Sequence, residues 1–276
     1  MRKLISLLFA VLLLLSLASC HRVSGDELRV VVLDVGQGDA VLLSQGDAHI
    51  LVDTGSSASR DALVAQLYAL GIKHLEYMVI THPHEDHFGN ARTVLERCHV
   101  DTLLVSDEPE GDGAYHDALS AARERGTNIK KVADGYRFSL GEAICSLVKP
   151  LAESKEENDA SLAMRVVFEK TTFLLMSDVE AAGESALIAE HGASFLDADW
   201  IKIGHHGAAD STKDALLDVV TPRYAAISCA AYNEYGFPDE ELLSRLEKRG
   251  VTVYRTDTMG ALCFTSDGNE ITYGTK

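Results

Sequence analysis

The decapeptide Thr81-His82-Pro83-His84-Glu85-Asp86-His87-Phe88-Gly89-Asn90 follows directly on the strand-like run Glu76 to Ile80, and it constrains the fold more than any other feature. Three imidazoles and two carboxylates in so short a span are too polar for a core and too crowded for an idle turn. They need a rigid strand end that holds them toward something binding nitrogen and oxygen donors. Five of the eleven histidines sit in two short clusters, this one and His205-His206, and both clusters fall where a strand-like run meets a loop. Imidazole and carboxylate suit Zn²⁺, Mn²⁺ and Fe²⁺, and the lack of thiolates points away from structural zinc. His82 and His84, two apart, can face one ion from an extended turn, while Asp86 and His87 can turn toward a second. Two ions about 3.5–4 Å apart clamp an attacking water and the oxyanion that develops during hydrolysis.

The rest of the chain supplies a scaffold for such an edge. Leu28 to Val35, Asp39 to Ser44 and His49 to Asp53 read as strands broken by Gly36-Gln37-Gly38 and Gly46-Asp47. Leu63, Leu67 and Leu70 recur at helical spacing up to Gly71. A helix is expected from about Phe88 to Arg97, a strand over Val100 to Val105, a helix to about Glu124 and several strands up to Val148. The polar stretch Leu151 to Asp159 is the best internal boundary. Beyond it come strands at Leu162 to Phe168, Phe173 to Met176, Trp200 to Ile203 and Tyr224 to Ser228. Helices are expected at Ala181 to Glu190, around Leu216 and from Pro238 to Gly250, and Asp267-Gly268 turns a closing hairpin. Each half is thus a mostly antiparallel meander followed by helices. Two such halves packed sheet to sheet give an α/β (α+β) fold, a four-layer αββα sandwich.

Met1-Arg2-Lys3, the apolar Leu4 to Ala18 and the ending Leu17-Ala18-Ser19-Cys20 read as a secretory signal, too short for a comfortable membrane span. The ending resembles a bacterial lipoprotein signal. That resemblance implies residues 1–19 removed before Cys20, a lipid on its sulfur, a tether over 20–27 and a domain over 28–276 held outside the cytoplasmic membrane. Loss of Arg2 and Lys3 takes the net charge from −17 to −19. Such acidity argues against a broad surface for nucleic acid or anionic lipid, but not against a nuclease whose ions supply local positive charge. Cys98, Cys145, Cys229 and Cys263 lack the spacing of a metal knuckle and read as small buried residues.

The pattern H-x-H-x-D-H after a strand resembles the metallo-β-lactamase superfamily. Leu33-Asp34-Val35-Gly36-Gln37-Gly38-Asp39-Ala40, Leu51-Val52-Asp53-Thr54-Gly55, Ser177-Asp178-Val179-Glu180 and Lys202-Ile203-Gly204-His205-His206-Gly207 further resemble the hydrolase domain of the ComEC competence proteins and their free-standing relatives. The likeness runs from about Leu28 to Thr272. It implies the αββα sandwich, a metal centre at the edge between the sheets and a hydrolytic reaction. By this resemblance His82 and His84 are ligands of a first metal, Asp86 and His87 of a second, and Asp178 bridges the two. His205 completes the second site, and Asp86 also orients the attacking water. His206 either faces substrate, in a catalytic role, or packs beside the site. Asp53 orients a ligand histidine, and Gln37 lies near substrate. Gly36 and Gly38 read as a tight turn beside the metals, since no helix follows them.

Some positions depart from the family pattern. Many members carry a further histidine before the bridging aspartate, and here the matching stretch is Asn158-Asp159-Ala160-Ser161. Asp159 or Asn158 then gives an oxygen ligand, or the first ion has an open position, and Asn158 and Ser161 otherwise face substrate or support the site. An oxygen ligand would favour Mn²⁺ over the Zn²⁺ otherwise expected. Phe237 stands where a histidine before proline is usual, and Ala208 where a serine is usual. The expected function is a metal-dependent hydrolase with two divalent ions, cleaving a phosphodiester, with single-stranded nucleic acid as a candidate substrate and no protein partner indicated. Hydrolysis of a lactone, thioester or β-lactam is the alternative, and a non-catalytic metal-binding lipoprotein a further one.

Overall fold

Alternate residues of the first strands go to opposite sides of one sheet. Val30, Val32, Leu43, Ile50 and Val52 enter a core shared with the second sheet, while Val31, Leu33, Leu42 and Leu51 lie under helices. Burial on both faces is why these strands are continuous apolar runs and not alternating ones. The computed structural model describes residues 25–106, 113–151 and 158–274. The signal sequence and Cys20 lie outside the described residues. No helix among the described residues is long and apolar enough to cross a membrane.

The first sheet takes β1 (Leu28–Val32), β2 (Val41–Gln45), β3 (Ala48–Val52), β4 (His74–Ile80), β5 (His99–Val105) and β6 (Asn128–Lys131). The second takes β7 (Tyr136–Leu140), β8 (Ala143–Val148), β9 (Ala163–Phe168), β10 (Thr171–Leu175), β11 (Trp200–Lys202), β12 (Tyr224–Ile227) and β13 (Thr252–Arg255). The last hairpin, β14 (Leu262–Ser266) and β15 (Ile271–Tyr273), returns to the first sheet, where β14 pairs antiparallel with β1. The spatial orders are β15-β14-β1-β2-β3-β4-β5-β6 and β13-β12-β11-β10-β9-β8-β7. Trp200 is the largest side chain of the core between the sheets, packed on Phe173 and Phe264 at ring separations of 5.6 and 5.3 Å. Helices cover both outer faces, completing the four-layer αββα sandwich.

Two expectations need correction. The halves of the chain are not the two sheets: β7 and β8 precede the expected boundary yet belong to the second sheet, and the closing hairpin belongs to the first. The 151–159 segment therefore does not divide one sheet from the other, because β8 and β9 on either side of it are hydrogen-bonded neighbours. The helix expected from Phe88 is two short ones, Glu85–Phe88 and Ala91–Arg97. Cys98, Cys145, Cys229 and Cys263 are buried and form no disulfide among the described residues.

Within each sheet an antiparallel meander gives way to parallel strands, β3 to β6 in the first and β10 to β13 in the second. The carboxyl ends of parallel strands face one way, and loops leaving them meet at one rim, where open α/β sheets place their ligands.

Candidate metal centre

That rim gathers the loops after β3, β4, β10 and β11. Their tight geometry shows in the backbone: Asp53, Ser177, His205 and His206 all hold positive φ, at 58°, 49°, 46° and 53°. Non-glycine residues pay strain there, and such strain concentrates at functional sites. Gly38 holds φ 128°, and a Cβ on it would collide with the Asp86 carbonyl. The loop after β1 can press on the loop after β4 only because this residue is glycine.

The loops bring two overlapping donor groups together. His82, His84 and Asp178 form one, and Asp86, His87, Asp178 and His206 form the other, each with donor atoms within 4.8 Å of one another. Asp178 belongs to both. Its Oδ2 lies 3.2 Å from His87 Nε2, 3.6 Å from His206 Nε2 and 3.8 Å from His82 Nε2. Asp86 Oδ2 lies 3.1 Å from His206 Nε2 and 4.0 Å from His87 Nε2.

Buried polar atoms without partners are rare, and this rim collects them. His82 Nε2, His87 Nε2 and Asp178 Oδ1 are buried without a hydrogen-bond partner. A donor set of imidazoles and carboxylates with inward lone pairs fits borderline divalent ions. The opposite ring nitrogens are held. His87 Nδ1 donates to Asp53 Oδ2 at 2.8 Å. Asp53 also accepts from the Thr81 backbone N–H at 2.9 Å and from Thr81 Oγ1 at 2.8 Å. Having given its proton to Asp53, Thr81 Oγ1 can accept from Ser177 Oγ at 2.7 Å and from His82 Nδ1 at 3.1 Å. One threonine hydroxyl thus turns His82 Nε2 toward the site, and Asp53 does the same for His87.

Charge follows this geometry. Burial works to lower the basicity of His87, but Asp178 and Asp53 outweigh it and raise the group well above the ordinary histidine range. Burial likewise opposes protonation of His206, yet Asp178 and Asp39 lift it to about 9. Burial pushes the Asp86 carboxyl up, but the His206 hydrogen bond and the charge of His87 hold it at about 2. His82 goes the other way, held well below its ordinary value by burial and by the charge on His87.

The structure does not bring every expected ligand into this cluster. His205 is corrected: His206 joins Asp86, His87 and Asp178, and His205 turns out to Glu180 and Asp210, each at 3.3 Å. The cause lies in the strand. Lys202 Nζ reaches Asp39 Oδ2 at 2.8 Å and His206 Nδ1 lies 3.3 Å from Asp39 Oδ1, so these two side chains share one side of the loop and His205 takes the other. Asp159 falls in neither of these two donor groups; its Oδ1 accepts the Gly183 N–H at 2.8 Å, serving the first turn of the helix Ala181–His191. Asn158 Nδ2 donates to Glu180 at 2.7 Å, and Ser161 Oγ donates to the Asn158 carbonyl at 2.7 Å, so Ser161 closes a local turn. Gln37 lines the open side of the centre beside Asp86.

Asp39 and Lys202 are the positioning residues that the sequence reading passed over. Both are buried, and Lys202 and His206 outweigh the burial of Asp39 to hold its carboxyl well below the usual carboxylate range. A lysine inside the apolar run Trp200-Ile201-Lys202-Ile203 was the available signal, since a buried cation requires a buried anion.

The comparisons agree with this architecture. Residues 33–231 match the Metallo-beta-lactamase superfamily. ComE operon protein 3 of Bacillus subtilis is 28% identical over 273 residues, covering 91% of this chain and 34% of that protein. Competence protein ComA of Neisseria gonorrhoeae is 30% identical over 260 residues, covering 93% of this chain and 35% of that protein. The chain therefore spans about a third of the length of these relatives. Among solved structures, the metallo-beta-lactamase fold protein YhfI from Bacillus subtilis superposes with a TM-score of 0.59 at 14% identity, covering 87% of this chain and all of that one. A diphosphatase of the PhnP family gives 0.54 at 14% identity, covering 87% and 98%. These two show the fold alone. With most of its length matched and its relatives of the ComEC-like kind, the chain belongs to the metallo-β-lactamase superfamily.

Proposed function

We propose that the protein is a phosphodiesterase with two divalent ions, acting outside the cytoplasmic membrane. The observation that carries this reading is the pair of donor groups sharing Asp178, with buried polar atoms left without a hydrogen bond between them. His82, His84 and Asp178 would hold one ion, and Asp86, His87, Asp178 and His206 the other. Bound there, a pair of ions supplies Lewis acidity and neutralises the charge of a phosphodiester anion.

The chain's own residues do the rest. Asp53, Thr81 and Asp39 fix the rings of His87, His82 and His206 before substrate arrives, so no reorganisation is needed during reaction. The Asp178, His82, His87 and His206 side chains are nearly inaccessible, whereas that of Asp86 is 33% exposed. Asp86, like His84, is thus a member of the cluster that solvent and substrate can touch. Its carboxylate, held at about 2, does not retain a proton at neutral pH and serves to orient an attacking water.

Relatives named for competence and recombination support a nucleic-acid phosphodiester, single-stranded substrates included. Residues 1–20, read as a lipoprotein signal, support the extracytoplasmic, lipid-tethered location. The test is a substrate panel on zinc-, manganese- and iron-loaded protein: bis(4-nitrophenyl) phosphate, single-stranded DNA, a lactone and a β-lactam. Phosphodiester turnover is expected, and Asp86→Ala or His206→Ala should lower it by about 100-fold or more. His205→Ala should stay within about tenfold of wild type, since its ring lies outside the donor groups. Silence toward both phosphodiesters with every ion, or turnover confined to the lactone or β-lactam, would refute the proposal.

A further inference from the structure

Asp86 forms part of the wall of an open groove of about 480 Å³, lined also by Gln37, Ser56, Glu234 and two tyrosines, Tyr232 and Tyr235. The tyrosines are 99% and 62% exposed, so neither contributes its full ring area to the core. Their loop is nonetheless built firmly. Asn233 Nδ2 donates to the Ala230 carbonyl at 3.0 Å and to the Phe237 carbonyl at 2.8 Å, while its Oδ1 accepts the Phe237 N–H at 2.9 Å. The Asp239 N–H donates to the Gly207 carbonyl at 2.9 Å, tying the loop to the turn that carries His206. Phe237 stacks under Tyr235 at 5.4 Å with the rings 19° apart, and itself abuts the His205 ring at 5.8 Å. Three rings, those of His205, Phe237 and Tyr235, therefore follow one another to the groove. Phe237 lies against one face of Tyr235, which is largely exposed and lines the groove.

We infer that Tyr235 is a stacking platform for a flat heterocycle of the nucleobase kind, carried on one arm of the phosphodiester; the inference rests on the reading under Proposed function. Ring-on-ring stacking is how proteins hold single-stranded bases without reading a sequence. A tyrosine already fixed from below loses little freedom on binding, which favours the contact. The charge of the groove limits what else enters. Among the described residues its lining includes Glu85, Asp86 and Glu234 and no lysine or arginine. A run of phosphates would meet repulsion there, whereas a neutral ring would not. The groove takes a base, and the phosphates stay with the ions.

The test compares AMP with ribose 5-phosphate on metal-loaded protein by titration calorimetry. The phosphate and sugar are common to both, so the difference reads the ring alone. Wild type should bind AMP about tenfold more tightly, Tyr235→Ala should abolish that gap, and Tyr235→Phe should keep it. Tyr235 is largely exposed, so its truncation leaves the core intact. No gap in wild type, or a gap that survives Tyr235→Ala, overturns the platform. Turnover of bis(4-nitrophenyl) phosphate by the same preparations reads the catalytic proposal separately. Turnover without base discrimination sinks the platform only, and base discrimination without turnover sinks the phosphodiesterase reading only.

Discussion

The two ring nitrogens of His87 have different tasks. Nδ1 donates to Asp53, and that bond holds Nε2 directed at Asp178 and the centre. Asp53 serves the neighbouring Thr81 as well, so one carboxylate orients two rings, His87 directly and His82 through the threonine hydroxyl. Asp53→Asn keeps the shape but loses an acceptor, so one of these rings is no longer fixed. Metal affinity is expected to fall by about 10- to 100-fold, measured by competition with a chromophoric chelator. Affinity unchanged from wild type would mean that Asp53 only caps its turn. Asp53 was a candidate for this role because Asp-Thr-Gly after a strand resembles the family pattern. The sequence did not show Asp39, whose partner Lys202 lies 163 residues away and whose charge makes sense only once β11 is seen beside the loop after β1.

The helix Ala181–His191 positions the site without contributing a ligand. Its Glu184 accepts the backbone N–H of Lys213 at 2.9 Å and that of Thr212, holding the loop that follows the His205–Gly207 turn. Burial pushes the Glu184 carboxyl up to about 7, against the pull of those two N–H groups. A carboxyl raised in the folded state binds its proton there more tightly than in the unfolded chain. Stability from this group therefore declines as pH rises from about 4.5 toward about 7, by roughly 3 kcal/mol in all. Urea unfolding at pH 4 to 8 should show the stability difference between wild type and Glu184→Gln shrinking across that window. A difference independent of pH would mean that Glu184 titrates normally. Elements of this kind were readable where the signal was local: the apolar runs gave the strands, and Gly71 and Gly192 ended their helices. Pairing was less readable. β14 joins β1 across the whole chain, and nothing within either run says which sheet it enters. The choice between His205 and His206 was hidden for the same reason, since it depends on left-handed backbone at both residues and on the distant Asp39.

The centre also joins the two sheets. His82, His84, Asp86 and His87 leave the first sheet after β4, whereas Asp178 and His206 leave the second after β10 and β11. Some cross-links hold without ions: Ser177 to Thr81 at 2.7 Å, Lys202 to Asp39 at 2.8 Å, and the Ser228 hydroxyl to the Gly38 carbonyl at 2.7 Å. Between them sit His82 Nε2, His87 Nε2 and Asp178 Oδ1, buried and unpartnered. Each such group costs free energy until something engages it. Ions present at 100 to 1,000 times their dissociation constant contribute about 2.7 to 4.1 kcal/mol to folding. For a domain of this size that corresponds to a rise in Tm of about 5–15 °C. Chelation should therefore lower Tm by that amount, and returning the ion should restore it. In Asp178→Ala both donor groups lose their common member, so chelation should shift Tm by less than half as much. A wild-type Tm indifferent to chelator and added ion would leave the sheets joined by the apolar core and those hydrogen bonds alone. It would also mean that the crowded histidines after β4 hold no ion at all.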